Sequence, residues 1–466
     1  MPPQLALLAC AVFVLALLRV ERKHAPNVSF AAWIPTAWML LVSTKPLALW
    51  FSGSASAGGF EDGSPLDRGV LLVLLVGGLA VLVRRRFRGL DSLLHHKWLL
   101  FLVGFMLVSV LWSEITFVSF KRWVRQFQAI IMALVLLSEE SPQDSVRSLL
   151  RRLVYILIPA SFLLIKYYPQ FGVEYGQYNG QLMWVGVTTQ KNGLGRLCFL
   201  SAFFLLWSIF SQRHEEKLRW SHPIILVECF LLFLIAVLLR GPEGAYSATS
   251  LVVVMIGTAI YAALWWTRSA GLLYRRLALA GVATILVLGA ITPLIGGATI
   301  SGLSGSLGRD TTLTGRTDIW GWLVPLAYNN LLTGVGFGGF WTPKTISVYD
   351  VNEAHNGYLD VVLETGLVGL SLHFAFLLAC CRQACQALEH NFEWGAFCLS
   401  LICMTAMYNY TESTMNLLAT QVTATLLFSI LCLTHQESPA VVSDGIDDLQ
   451  VPSGAEDQLT SPAGGT

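Results

Sequence analysis

Charge is what this chain has least of. Of 466 residues 13% are charged and 55% are hydrophobic, with a mean hydropathy of +0.61, whereas a soluble domain carries about a quarter charged residues. The signs nearly balance at +1. There is therefore no basic face for nucleic acid, and the aromatic residues sit among aliphatic runs instead of among Lys and Arg. A disulfide framework is missing too. Cys10, Cys198, Cys229, Cys380, Cys381, Cys385, Cys398, Cys403 and Cys432 all lie in or beside apolar segments and read as small buried hydrophobes. A metal or palmitoyl cluster at Cys380, Cys381 and Cys385 would lack a second ligand pair. Leu5 to Val20 has no basic stretch before it and no small-residue cleavage site, so it reads as a first span and not as a removable leader. No repeat of helical-array period is visible, which argues against transporters built from duplicated halves.

What the chain does have is apolar runs. A membrane-crossing helix takes roughly 17 to 25 largely apolar residues, and about thirteen such segments are predicted. They run near 4–20, 30–51, 69–83, 98–113, 124–138, 152–166, 194–211, 222–239, 245–266, 274–296, 356–381, 395–409 and 415–434. Cytoplasmic loops attract Lys and Arg, and placing Arg19, Arg22 and Lys23 inside puts most of the 30 basic residues there as well. The outer half keeps Lys45, Arg68, Lys121, Arg122, Arg125, Lys166, Lys191, Arg196, Arg240, Arg309, Arg316 and Lys344, which oppose that bias and need a reason. The expected class is all-α: a polytopic bundle in three parts. These are N-terminal helices over 1–190, a membrane domain over 191–434 with a long structured outer loop at 297–355, and a disordered cytoplasmic tail over 435–466 that is rich in Ser, Pro, Gly and acids. A second unusual connection, 167–193, is rich in Tyr, Gly and Gln.

Within the long loop, Thr314 is a predicted cap for a helix in which Trp320, Leu323, Val324 and Ala327 recur at helical spacing. Pro325 should kink or end it. Its apolar face is expected on the membrane surface, with Trp320 and Trp322 in the headgroup zone. The run Gly334-Val335-Gly336-Phe337-Gly338-Gly339 neither follows a buried strand nor opens a crossover helix, so it is not a nucleotide loop. Such glycines let the backbone turn and approach another segment or a sugar.

Asn356, Asp360 and Glu364 fall at i, i+4 and i+8 and share one helix face. Carboxylates within a span avoid lipid, so this face is expected to line a polar chamber open to the outside. Of nine histidines, only His355 falls on the outer side, beside that face. Imidazole titrates near neutrality and can take a proton from an attacking hydroxyl. Arg240 ends an apolar span and either snorkels, pairs with Glu243, or offers a bidentate guanidinium to a phosphate. Arg316 has Asp318 as a local partner or the same phosphate role. With Lys121, Arg122, Arg125, Lys191 and Arg196 these cations suit an anionic lipid phosphate. A transporter or flippase is the alternative, although it predicts charges near mid-membrane on several spans.

Thr314-Gly315-Arg316-Thr317-Asp318-Ile319-Trp320, the Gly334 to Phe340 turn, Ala354-His355-Asn356-Gly357-Tyr358 and Glu364-Thr365-Gly366-Leu367-Val368-Gly369-Leu370, with Leu239-Arg240-Gly241 and Glu412-Ser413, resemble the O-antigen ligase and polymerase family of bacterial envelope glycosyltransferases. The resemblance covers roughly 190 to 415. It implies a GT-C-like bundle of about twelve spans in the bacterial cytoplasmic membrane, with its active site facing outside. The implied donor is an undecaprenyl-pyrophosphate-linked glycan. The acceptor is a hydroxyl of a glycan, lipid or protein, and the chemistry an inverting-type displacement without metal or other cofactor. Chain-length regulators or other envelope-glycan proteins are implied as partners. By the same resemblance Arg240 and Arg316 grip the pyrophosphate, and His355 activates the acceptor hydroxyl or stabilises it as it attacks. Arg122, Arg125 and Arg196 are expected to add to the pyrophosphate site, and Glu412 to join Asn356, Asp360 and Glu364 in the polar cavity. Where the family often has His, this chain has Gln190, so no proton-transfer role passes to that position. Lys121-Arg122 and Ser43-Thr44-Lys45-Pro46-Leu47 with Trp50 lean towards the exopolysaccharide polymerase branch.

Overall fold

The computed structural model describes residues 1–52, 64–86, 90–176, 180–214, 217–242, 246–268, 272–295 and 315–437. The expected partner Glu243, the expected cap Thr314, Arg309 and the tail beyond residue 437 lie outside these residues. The first half of the chain gives helices α1 (Pro3–His24), α2 (Trp33–Ser43), α3 (Leu47–Ser52), α4 (Pro65–Arg84), α5 (Leu90–His95), α6 (Lys97–Ser109), α7 (Thr116–Leu137), α8 (Pro142–Tyr167) and α9 (Pro169–Gly172). The second half gives α10 (Lys191–His214), α11 (Pro223–Arg240), α12 (Ala248–Trp266), α13 (Leu272–Ile295), α14 (Arg316–Asn329), α15 (Pro343–Tyr349), α16 (Gly357–His390), α17 (Phe392–Tyr408) and α18 (Gln421–Glu437). Each predicted apolar segment falls on these helices, the one at 30–51 divided between α2 and α3, and the protein is an all-α multi-pass helical bundle.

Seven of the described helices are long and apolar enough to cross a membrane: α1, α4, α8, α10, α11, α12 and α16. The two outermost, α1 and α4, show why the bundle needs lipid. Leu8 at 61% exposed on α1 and Val73 at 69% on α4 belong to wide apolar faces that no protein covers, and such faces are stable only against hydrocarbon. Local signals set the ends. Ser64 caps α4 by accepting from the amides of Leu66 and Asp67, Pro65 occupies its first turn and Arg84 its last, which matches the polarity of the helix dipole.

The buried centre is formed by α8, α10, α16, α17 and α18. Phe203 of α10 stacks on Phe397 of α17 at 5.4 Å, and Trp207 meets the same ring at 4.6 Å. One core runs from Leu17 to Leu433, so the packing is continuous across the boundary expected near residue 190. Seven of the nine cysteines, all except Cys10 and Cys229, are buried in this bundle and all nine are free thiols, as their apolar neighbours implied.

The 167–193 connection folds as a small antiparallel hairpin, β1 (Val173–Tyr175) with β2 (Leu182–Trp184), in the register Val173 opposite Trp184. Lys45 is tied to it: its amide donates to the Val187 carbonyl at 2.9 Å and its ammonium to that of Phe171 at 2.5 Å. One of the cations that opposed the charge bias thus holds a loop.

The feature that positions everything else is a break in α16. Gly366 has φ +64° inside the helix, and residues 331–336 lie along the break. The Val335 and Gly336 amides donate to the Leu363 and Glu364 carbonyls at 3.1 and 2.8 Å, and those of Leu367 and Val368 donate to Leu331 and Leu332 at 2.8 and 3.1 Å. The freed backbone groups of the helix and those of the loop satisfy one another, which is the condition for non-helical backbone near hydrocarbon. Glycine is needed on both sides. A Cβ on Gly366 would stand 2.3 Å from Leu332 backbone, and one on Gly334 2.4 Å from that of Glu364. The glycine run therefore approaches another segment, as its composition suggested.

Candidate active site

The loop around His355 is fixed from three directions. The Ala354 amide donates to both Asp360 oxygens at 3.2 Å, the Ala354 carbonyl accepts from the Trp320 indole at 2.9 Å, and the Gly357 amide is shared by the Asn409 and Glu412 carbonyls at 3.0 Å. Trp341 adds its indole to Asp360 at 2.9 Å. Between these anchors His355 is held in the left-handed region at φ +49°, a conformation that non-glycine residues adopt only when their surroundings impose it.

The imidazole so placed meets two acids. Its Nδ1 lies 3.0 Å from Glu353 Oε1 and 3.9 Å from Glu412 Oε2. Both carboxylates act on the ring at close range, by hydrogen bonding and by charge. Glu412 is buried in the loop between α17 and α18. Its Oε1 accepts from Arg316 Nη2 at 2.6 Å and from Asn192 Nδ2 at 2.7 Å. Arg316 is the first residue of α14, after Gly315 at φ +83°. Asn192 and Arg196 come from the start of α10, and Arg196 acts electrostatically on Glu353. Four segments of the chain therefore converge on one set of charges.

The charges set one another. Burial pushes the His355 imidazole down, but the Glu353 and Glu412 contacts outweigh it and raise its pKa to about 10. Burial pushes the Glu353 carboxyl up, yet His355, then Arg196 and Arg316, hold it below its ordinary value. At neutral pH the site is an imidazolium between carboxylates, flanked by two guanidiniums. The Nε of Arg196 is buried with no hydrogen-bond partner among the described residues, a donor suited to an anion. Glu353, His355 and Glu412 each offer a ligand atom, all within 4.8 Å of one another, which is a donor set a divalent cation can use. The fit is poor, since Glu412 is already bonded to Arg316 and a metal would lie among protein cations.

Several expectations need correction. Asn356, Asp360 and Glu364 share a face, but it lines no open chamber among the described residues. Asn356 is fully buried as the cap of α16, accepting from the Leu359 amide at 2.9 Å and donating to the Tyr410 carbonyl at 3.1 Å. Asp360 and Glu364, 1% and 4% exposed, are packed against the 335–341 turn. A helix buries its polar stripe wherever hydrogen-bonding partners await it, and here a loop supplies them. Nor does the apolar face of α14 lie on the membrane surface. Trp320, Leu323 and Ala327 form a separate small core with Phe340, Trp341, Ala354, Leu359 and Leu363. Trp322 is 51% exposed and stacks on Tyr349. Pro325 does not end the helix, which continues to Asn329.

Of the expected pyrophosphate ligands, Arg316 and Arg196 reach the cluster. Arg122 donates to the carbonyls of Gly338 at 2.5 Å and Trp341 at 3.3 Å, clamping the glycine turn onto α7. Arg125 is exposed on α7 with Asp67 of α4 as its electrostatic partner. Arg240 is exposed at the end of α11, on the side where α10 begins, with no hydrogen bond or ion pair to the cluster among the described residues. Sequence reasoning missed Glu353 and Asn192. The acid two positions before the outer histidine was a readable signal for the first, and the second stands two positions after Gln190, in a segment already set beside the family. Gln190 is exposed.

Residues 229–374 match the family model described as O-antigen ligase. Over this segment the chain is similar to the O-antigen ligase/polymerase family. It is also similar to the exopolysaccharide production protein ExoQ of Rhizobium meliloti (strain 1021), at 23% identity over 301 residues. That similarity covers 61% of this chain and 64% of the relative, so the chain spans a little under two thirds of that protein's length. No solved structure matches the chain. The family segment holds Arg240, Arg316, Glu353 and His355, whereas Asn192, Arg196 and Glu412, which complete the cluster, lie outside it.

Proposed function

We propose that this chain is a member of that family and transfers an undecaprenyl-pyrophosphate-linked glycan to an acceptor hydroxyl at the outer face of the cytoplasmic membrane, as an exopolysaccharide polymerase or a ligase. The observation that carries this reading is the convergence of Arg316, Arg196 and His355 on Glu353 and Glu412, with a buried Arg196 donor unspent. Cations assembled by carboxylates, with donors still available, suit a doubly charged pyrophosphate better than a neutral solute.

In this mechanism the acceptor oxygen attacks the anomeric carbon of the donor sugar, and the bond from that carbon to the pyrophosphate oxygen breaks. The pyrophosphate leaves with the electron pair, and inversion follows from displacement in line. Arg316 and Arg196 offset the charge that grows on it, where fixed cations contribute most. His355 starts as an imidazolium, so it adds positive charge and a donor, and the acceptor proton passes to the Glu353 carboxylate beside it. This differs from taking His355 as the base: two acids keep its proton in place. Arg240 joins at the entrance to the donor site, as the family resemblance implies. Without donor, Glu412 holds Arg316 by their 2.6 Å pair; pyrophosphate then competes for that guanidinium.

Reconstitution in liposomes with an undecaprenyl-pyrophosphate glycan and EDTA tests the proposal. Elongated or transferred product that disappears with His355→Ala and Arg316→Ala is expected. Passage of glycan across the bilayer with no covalent product would overturn it in favour of a flippase.

A further inference from the structure

α14 has two faces, and the core beneath it accounts for only one. Trp320, Leu323 and Ala327 belong to the small core that the helix shares with Phe340, Trp341 and Leu359. On the opposite side Asp318, Trp322, Pro325 and Asn329 recur at i, i+4, i+7 and i+11, form one strip along the helix, and are all exposed. An indole that is 51% exposed needs a reason. Hydrocarbon does not supply it, because the carboxylate of Asp318 and the amide of Asn329 bound the same strip, and a lipid-facing strip excludes such groups.

The ring has an aromatic neighbour. Trp322 and Tyr349 stack with 6.5 Å between centroids and 26° between planes, and Tyr349 is the last residue of α15, on which Lys344 and Ser347 are exposed. Two nearly parallel rings with a carboxylate and an amide beside them make a flat apolar surface rimmed by hydrogen-bonding groups. A sugar ring is matched to such a surface, since its C–H face is apolar and its edge carries hydroxyls. Both aromatic residues are tied to the candidate active site through the chain. Trp322 follows Arg316, which opens α14, by about 9 Å along the helix and about a third of a turn around it. Tyr349 precedes Glu353 by four residues, so the two backbones are at most about 14 Å apart. Glu353 is the group that takes the acceptor proton in the mechanism above, and a glycan of several units covers that reach where a single sugar does not.

We infer that the Trp322–Tyr349 pair binds a sugar ring of the acceptor glycan, some units back from the hydroxyl that reacts, with Asp318 and Asn329 hydrogen-bonding to its edge. This rests on the transfer reading above, and two measurements on the full-length protein in liposomes keep the two apart. In the first, transfer is followed while the acceptor glycan is titrated. Trp322→Ala should raise the acceptor KM about tenfold and leave kcat within about twofold. Trp322→Phe, which keeps a flat ring, should preserve most of the affinity. Trp322→Leu, which keeps an apolar anchor for a lipid surface but no flat ring, should behave as Trp322→Ala does. In the second, short gluco-, galacto- and manno-oligosaccharides are titrated without donor and followed by saturation-transfer NMR; wild type should bind at least one of them, and Trp322→Ala should lose that binding. Transfer with an unaltered acceptor KM in Trp322→Ala, wild-type behaviour of Trp322→Leu, or no Trp322-dependent binding of any of the three sugars overturns the platform and leaves the transfer reading standing. Trp322-dependent binding with no covalent product overturns the transfer reading and leaves the sugar platform.

Discussion

Two buried ionic clusters at opposite ends of α10 show how similar residues do different work. Deep in the bundle Arg151 donates to Glu228 at 3.0 Å and to Ser208 at 2.9 Å, while Gln212 closes on the same carboxylate, and the pair is 5% and 0% exposed. Next to it Arg152 reaches Glu21 at 3.2 Å and lies over the Trp33 ring at 4.5 Å. These pairs join α1, α8, α10 and α11, one acid to one cation. At the other end three cations, His355, Arg316 and Arg196, face two acids, Glu353 and Glu412, and all but Glu412 are partly exposed. The first, closed cluster, matched one to one, holds helices together; the second, open one, with a surplus of cations at partly exposed positions, is suited to an anionic ligand.

The largest effect should come from breaking the closed cluster. Arg151→Ala leaves Glu228 buried without its cation and is expected to cost about 3–5 kcal/mol, seen as a large fall in the unfolding temperature in detergent. Replacing both Arg151 and Glu228 with Met should recover most of that stability, and if the double variant is as unstable as the single one, the pair is not a self-contained pin. At the open cluster, Arg316→Ala should leave the unfolding temperature nearly unchanged and lower turnover by about 10²–10³-fold, with Arg316→Lys between. Equal loss of stability and of turnover would erase the distinction between the two clusters.

Smaller effects test how the open cluster is held. Asp360→Ala strands the Ala354 amide and the Trp341 indole, about 1–3 kcal/mol for each buried donor. It should reduce turnover through misplaced His355 while donor binding persists, which separates KM from kcat. Gly366→Ala forces strained backbone against Leu332 and should cost about 1–3 kcal/mol. Gly321→Ala, with open space around its position, should be neutral or slightly stabilising.

The smallest and sharpest effect is the pH profile. The folded pKa of His355, about 10, lies above the ordinary imidazole value of 6.5. Its pairing therefore stabilises the fold fully below pH 6.5, and that contribution is lost as pH rises through about 10. If the imidazolium is the working form, turnover stays level from pH 7 to 9 and falls to about half near pH 10. A rate that climbs tenfold per pH unit over that range would mean that free imidazole is the base.

The positions of the helices needed only the sequence, because hydrocarbon leaves a spanning segment few alternatives to an apolar helix. The apolar helices, the scarcity of charge, the apolar setting of the cysteines and the candidacy of His355 and Arg316 were all legible in residue type and order. The polar stripe of Asn356, Asp360 and Glu364 was legible as a stripe, but not as a set of anchors, since its partners Trp341, Ala354 and Tyr410 belong to loops whose paths periodicity does not specify. Only tertiary structure could decide which cations meet the acids around His355. Arg122 and Arg316 look alike in sequence, yet one clamps the glycine turn and the other meets Glu412 from 96 residues away. Hydropathy acts on each segment alone and fixes where the chain enters the membrane. Pairing of charges depends on which segments meet, and here that was decided by the broken helix at Gly366 and the loop folded along it.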